Sequence, residues 1–181
     1  MSLILYSSDG LVTRMNEQSG LPDSFPQTLM CLLADDIGPS LLAAAYRAGG
    51  IVFATPESIF HFEDGLDARD PIVTPLVDRI GRARSLELLI NAKELDSAEA
   101  SLLGIIDGVA SIAEFEDKIA EISTLSKSSM IQAALLVRRQ KGLTAKQAML
   151  LERYNFALRF ASADQKEGID AFLKKRKPEF S

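Results

Sequence analysis

The side chains able to move protons or attack a carbonyl are few and scattered. His61 is the single histidine, set between Phe60 and Phe62. It has no cysteine or serine nearby to build a nucleophile–base pair, so a packed or half-exposed ring is the plainer reading. Cys31 is the single thiol and lies inside the apolar run Leu29–Ala34, where it reads as a small core residue. One thiol can close neither an internal disulfide nor a Cys-based metal site. Carboxylates gather at Glu63, Asp64, Asp67 and Asp70. Such a stretch either lines a solvated loop or, held against a substrate, supplies a proton carrier. Gly38-Pro39-Ser40 lacks phosphate-loop spacing and reads as a turn. The basic run Lys174–Lys177 either complements a helix C-terminus, at about 0.3–1 kcal/mol per charge, or meets a phosphate.

The elements that must position these groups differ between the two halves of the chain. The first half reads as strands and loops. Leu3–Tyr6, Leu29–Ala34 and Ile51–Ala54 are short apolar runs stopped by turn clusters, and the second of them suits burial on both faces. Leu41–Ala48, rich in alanine, reads as a helix packed on the sheet, and Asp64–Pro75 as a loop. The second half is helical. Apolar residues recur at helical spacing from Asp78 to Ile90 (Ile80, Ala83, Leu86, Ile90), and on Ile112, Phe115, Ile119 and Ile122. Lys127–Gln140 places Met130, Ala133, Ala134 and Val137 on one face. Capping boxes open helices at Asp96–Glu99 and Ser111–Glu114; further starts fall at Thr144–Gln147 and Asp164–Glu167. Gly104 suits a left-handed stop. The order predicts an α/β core over 1–110 and a helical region over 111–181.

The tail has a recognisable pattern. Glu152, Phe156, Phe160, Asp164, Glu167-Gly168, Ala171-Phe172, Lys175-Arg176, Pro178 and Phe180 follow the order E, F, F, D, E-G, A-F, K-R, P, F. This closely resembles the end of crotonase (enoyl-CoA hydratase/isomerase) superfamily proteins. Ile80-Gly81-Arg82-Ala83, Leu95–Ala100 and Leu103–Asp107 extend the resemblance upstream. Fainter likeness places Leu29–Asp36 at the family's P-V-I-A-A-V-N-G strand and Ile51–Phe60 at its D-x-R-I-A-S segment. The chain is shorter than usual for the family and resembles a member shortened at its N-terminus.

The resemblance implies a spiral of β-β-α units with a helical C-terminal trimerisation region, assembled as a homotrimer or hexamer. It implies binding of an acyl-CoA thioester, with coenzyme A as part of the substrate and no tightly bound cofactor or metal. Two backbone N–H groups, at positions matching Leu41 and Asn16, would hold the enolate-like oxygen. Leucines stand where the family has glycines, which predicts crowding in front of the thioester. Of the two hydratase glutamates, one position is Ala44 and the other is Asp64. The resemblance therefore favours isomerase-type proton transfer through Asp64 over two-glutamate hydration. The rival reading is a catalytically degenerate acyl-CoA-binding or structural subunit. Phe156, Phe172 and Lys175 match positions that reach into a neighbouring subunit and contact the adenine and ribose phosphate of CoA there, and Phe156 and Phe172 read equally well as helix core. Fatty acid metabolism is the implied setting.

Composition sets the outer bounds. The chain has 181 residues, is 47% hydrophobic and carries a net charge of −5, which disfavours a general nucleic-acid binder. No apolar run is long enough to span a bilayer, so a membrane partner is not expected. The lone thiol and the absence of a recognisable leader predict a cytoplasmic protein.

Overall fold

The structure is a computed structural model, and it describes residues 3–7, 12–15, 28–63, 71–91, 94–160 and 162–180. The chain divides into two units, Met1–Ile119 and Ala120–Ser181. No helix among the described residues is long and apolar enough to cross a membrane.

The first unit is built on a five-stranded sheet of β1 (Leu3–Ser7), β2 (Val12–Met15), β3 (Thr28–Leu33), β5 (Ile51–Ala54) and β8 (Gly108–Val109), ordered β2-β1-β3-β5-β8. β1 runs antiparallel to β2 and β3, whereas β3, β5 and β8 are parallel. As predicted for Leu29–Ala34, β3 is buried on both faces. The pleat sends Cys31 and Leu33 into one core with Leu5, Val52, Ala54 and the helix α1 (Pro39–Ala48). The opposite face carries Ile4, Leu32 and Phe53 in register. There Phe53 meets Phe115 of α5 (Ile112–Ser123) edge to face, with centroids 5.9 Å apart.

A second, small sheet joins β4 (Asp36–Ile37), β6 (Ile59–Phe60) and β7 (Leu95–Asp96). These two-residue strands carry no hydrophobic period, and the sequence reading passed over all three. β2 and β8 were also not foreseen.

Several helices depart from expectation. The segment Asp78–Ile90 is two helices, α2 (Val73–Ile80) and α3 (Arg82–Asn91). Gly81 takes φ 81°, ψ 166°, a conformation that only glycine adopts readily, and its carbonyl accepts from Ser85 N–H and Oγ to start the next helix. The buried positions of α3 are Ser85 and Leu88, whereas Leu86 and Ile90 face outward. α2 also begins inside the segment predicted as a loop.

α4 (Ser97–Leu103) opens on the predicted box: Asp96 Oδ1 accepts from Glu99 N–H at 2.7 Å and Glu99 returns to Asp96 N–H. α5 opens similarly, with Glu114 accepting from Ser111 N–H at 2.8 Å. Of its predicted face only Phe115 is buried.

The second unit holds α6 (Lys127–Arg139), α7 (Ala145–Arg159) and α8 (Ala163–Leu173). α7 starts on the Thr144–Gln147 box. α8 starts two residues before the predicted box, because the Ser162 hydroxyl caps Gln165 N–H and leaves Asp164 in the first turn. Neither α6 nor α7 buries a residue fully, and Val137 on the predicted α6 face is 73% exposed.

Candidate functional site

The start of α1 is held by the two sheets. Leu33 O, at the end of β3, accepts from Thr55 N–H. Asp35 then turns the chain with φ 68°, which a short polar side chain tolerates. Strand β4 follows, fixed to β6 by Ile59 N–H to Asp35 O at 3.3 Å and His61 N–H to Ile37 O at 3.0 Å.

The helix begins at Gly38 with no side chain capping it, and Pro39 occupies the first turn. The first closed backbone bond runs from Leu42 N–H to Gly38 O, at 3.1 Å. Pro39 has no N–H, so the donors left open at this end are those of Ser40 and Leu41; neither has an acceptor among the described residues. Two adjacent N–H groups at the positive end of a helix dipole suit an oxygen that gains negative charge. The Leu41 and Leu42 side chains are 0% and 1% exposed and belong to the core, so they do not occupy the space in front of these donors. The crowding expected from their size is not seen.

The other predicted members of this site divide as follows. Asn16 and Asp64 lie outside the described residues. Ala44 is fully buried. His61 lies between two carboxylates, with Nε2 3.5 Å from Asp36 Oδ1 and Nδ1 3.3 Å from Glu94 Oε1; its side chain is half-buried. Both partners lie far from His61 along the chain and reach it across the small sheet. Cys31 is fully buried, with its thiol 3.7 Å from Ile51 O. Burial first, then the Asp107 carboxylate, push that thiol up to about 12, which makes it inert as a nucleophile at neutral pH.

The floor of the unit is tied together near Asp107. Its Oδ2 accepts from Val52 N–H at 2.7 Å and its own N–H returns to Val52 O at 2.7 Å. Oδ1 meets Arg79 of α2, whose Nε donates to Gly104 O at 3.2 Å and whose guanidinium lies 5.0 Å over the Tyr46 ring of α1. Tyr46 donates to Ile105 O at 2.8 Å. Among the described residues no group of three or more His, Cys, Asp or Glu could hold a metal ion.

The tail residues sit in the second unit. Phe156, on α7, is 69% exposed, and its ring centroid lies 5.8 Å from that of Phe160. Both line a pocket of about 310 Å³ with Arg159, Gln165 and Phe180. On the polar wall, Asp164 is buried and accepts from Ser126 and Ser128 hydroxyls at 2.5 and 2.6 Å. Arg159 donates to Ser128 O at 2.6 Å and to Ser129 Oγ at 2.7 Å. Phe172 is 82% exposed on α8, and no described ring contact joins it to Phe156. Lys175 follows α8, exposed, with φ 52°.

The basic run is differentiated. Arg176 Nη1 and Nη2 donate to both oxygens of Glu167, at 2.5 and 2.9 Å, and Nη2 also to Asp170 at 2.7 Å. Lys174 pairs with Asp170 at 2.9 Å. The Arg176 hydrogen bonds, then the Glu179 N–H, hold the Glu167 carboxyl down at about 2. Sequence reading missed this clasp, because nine residues separate Glu167 from Arg176 and only a chain reversal brings them together.

Comparison with known proteins bears on the family and the fold. The sequence model of the family described as enoyl-CoA hydratase/isomerase matches residues 65–181. A cyclohexa-1,5-dienecarbonyl-CoA hydratase of Thauera aromatica is 32% identical over 184 residues, covering 96% of this chain and 66% of that protein. A probable enoyl-CoA hydratase of Rhizobium meliloti (strain 1021) is 32% identical over 109 residues, 58% of this chain and 42% of its own length. The match thus spans well under half of that relative. Among solved structures, an enoyl-CoA hydratase subunit I from Geobacillus kaustophilus HTA426 superposes with a TM-score of 0.75 at 27% identity, covering 86% of this chain and 63% of that one.

Proposed function

The chain belongs to the enoyl-CoA hydratase/isomerase family, and from that premise we propose that it binds an acyl-CoA thioester and holds the carbonyl oxygen on backbone N–H groups at the start of α1. The observation that carries this reading is the uncapped helix end with the open Ser40 and Leu41 donors. In the proposed reaction Leu41 N–H and a second donor at Asn16 stabilise the oxygen as a proton leaves the carbon chain. The Asp64 carboxylate takes that proton and returns it at the other end of the allylic system, shifting the double bond with no net change in composition. Isomerase-type transfer is favoured over hydration because Ala44 offers no second carboxylate. The CoA of a neighbouring subunit is contacted by Phe156, Phe172 and Lys175, with the Phe156–Phe160 pocket sized for one ring system. The setting proposed is cytoplasmic fatty acid metabolism.

Ala44, fully buried and without an ionisable group, also favours a second reading: a degenerate subunit that binds acyl-CoA without turning it over. Turnover of a panel of enoyl-CoAs by the wild type and by Asp64→Asn separates the two. The first reading expects a loss of about 10²–10⁴-fold in the variant with CoA binding retained. Unchanged turnover in Asp64→Asn removes Asp64 as the proton carrier. A wild type that binds CoA and turns over nothing establishes the second reading.

A further inference from the structure

The end of α8 is built unlike a usual helix stop. Arg176 N–H donates to Ala171 O at 3.0 Å and Lys175 N–H to Phe172 O at 3.2 Å, the paired bonds of a Schellman motif. That motif needs a left-handed residue at the position Lys175 fills with φ 52°. α4 ends on the same motif with Gly104 there, at φ 82°. A lysine in this conformation is strained by its Cβ, and such strain persists only when the surroundings over-determine it.

The surroundings are the clasp. Arg176 is forked onto Glu167 and reaches Asp170, and Glu179 N–H donates to Glu167 Oε1 at 2.7 Å. The chain after the turn therefore runs back along α8 and brings Phe180 to the pocket wall beside Phe156 and Phe160. Within the basic run Lys174 and Arg176 are engaged by internal carboxylates. Lys175, at the apex, has no acidic partner among the described residues.

We infer that Arg176 is a positioning residue for coenzyme A: by gripping Glu167 and Asp170 it fixes the left-handed turn that presents the Lys175 ammonium to a phosphate. This rests on the proposed contact between Lys175 and the CoA phosphate. In this role Arg176 touches no ligand; its guanidinium is taken up by Glu167 and Asp170 of α8 and, through Nη1, by Lys177 O at 3.1 Å, which ties the turn itself. A lysine in its place would keep the charge and lose the two-point grip.

The test is calorimetry on the full chain with CoA and with dephospho-CoA, which lacks the ribose phosphate. The wild type is expected to prefer CoA by about tenfold or more, the scale of one charge-assisted contact. Lys175→Ala, Arg176→Ala and Arg176→Lys should each abolish that preference. The Lys175→Ala/Arg176→Ala double variant should lose no more than either single one. Glu167→Gln breaks the grip from the other side and should behave like Arg176→Ala, with helix content by circular dichroism showing that each variant is folded. If Lys175→Ala keeps the preference, the Lys175 contact itself fails and the inference falls with it. If Lys175→Ala loses the preference and Arg176→Ala or Arg176→Lys keeps it, the contact stands and the positioning role is overturned. Additive losses in the double variant also overturn it, because Arg176 would then contact phosphate directly.

Discussion

Individual side chains in this chain are placed by a few strong local demands, and Lys175 is where one of them is resisted. Replacing it with glycine removes the Cβ strain of the left-handed turn, about 1–2 kcal/mol. Lys175→Gly should raise the melting temperature by about 2–4 °C for each kcal/mol recovered, while weakening binding of CoA if the ammonium has the role proposed for it. Glu167 gives a pH-dependent counterpart. Its carboxyl, ordinarily near 4.5, is held down at about 2. A depressed acid contributes stability that is complete above the unfolded value and is lost as pH falls through the folded one. The difference in melting temperature between wild type and Glu167→Gln should therefore be constant above about pH 5 and shrink between 4.5 and about 2. Thermal melts across that range check it. Residues with near neighbours as partners were legible from sequence, as with the Asp96–Glu99 and Thr144–Gln147 boxes. His61 and Arg176 were not, because their carboxylates arrive through strand pairing and a chain reversal.

At the level of elements, the knot at Asp107 joins α1, α2, the turn after α4 and strand β5. Val52 is fully buried, so its N–H has no recourse to water when the Asp107 carboxylate is removed. Asp107→Ala should cost about 1–3 kcal/mol, the cost of leaving one buried donor unmet. Much of the Arg79 pairing adds little, since Asp107 is more than a third exposed. Denaturant titration of the variant should show a lower midpoint with an unchanged slope. Long apolar runs announced β1, β3 and β5 because buried strands must be apolar throughout. The small sheet β4-β6-β7 has strands of two residues each, too short for any period. The break between α2 and α3 was hidden for a different reason: the apolar spacing continues across Gly81, and only the backbone angles separate the two helices.

Across the whole molecule, apolar side chains are distributed unevenly. The first unit gathers the core cluster around Cys31, Leu33 and Val52. The second exposes Leu150, Tyr154 and Leu158 on α7, and Phe160 at its C-terminal cap, at 55–64%. Exposed apolar surface of this kind commonly marks an interface, and we propose that copies of this chain meet there. Sedimentation analysis of wild type should then give a multiple of the monomer mass, and Leu150→Glu/Leu158→Glu should shift it toward the monomer; an unchanged mass in the variant would place the interface elsewhere. The fold class was legible in the tail motif and the Leu41 donor through the family resemblance, whereas the open Ser40 N–H beside it was not, since a missing cap is a matter of geometry and not of residue type.

The burial of Cys31 has a practical corollary. The chain holds a single sulfhydryl, on the central strand, at zero exposure and with its thiol raised to about 12. A maleimide or disulfide reagent can reach it only when the core packed over that face of the sheet, with α1 in it, opens. The labelling rate is thus a stopwatch for the opening of that core, readable by mass spectrometry without any engineered reporter. Comparing the rate with and without CoA would tell whether the ligand steadies the sheet that carries α1.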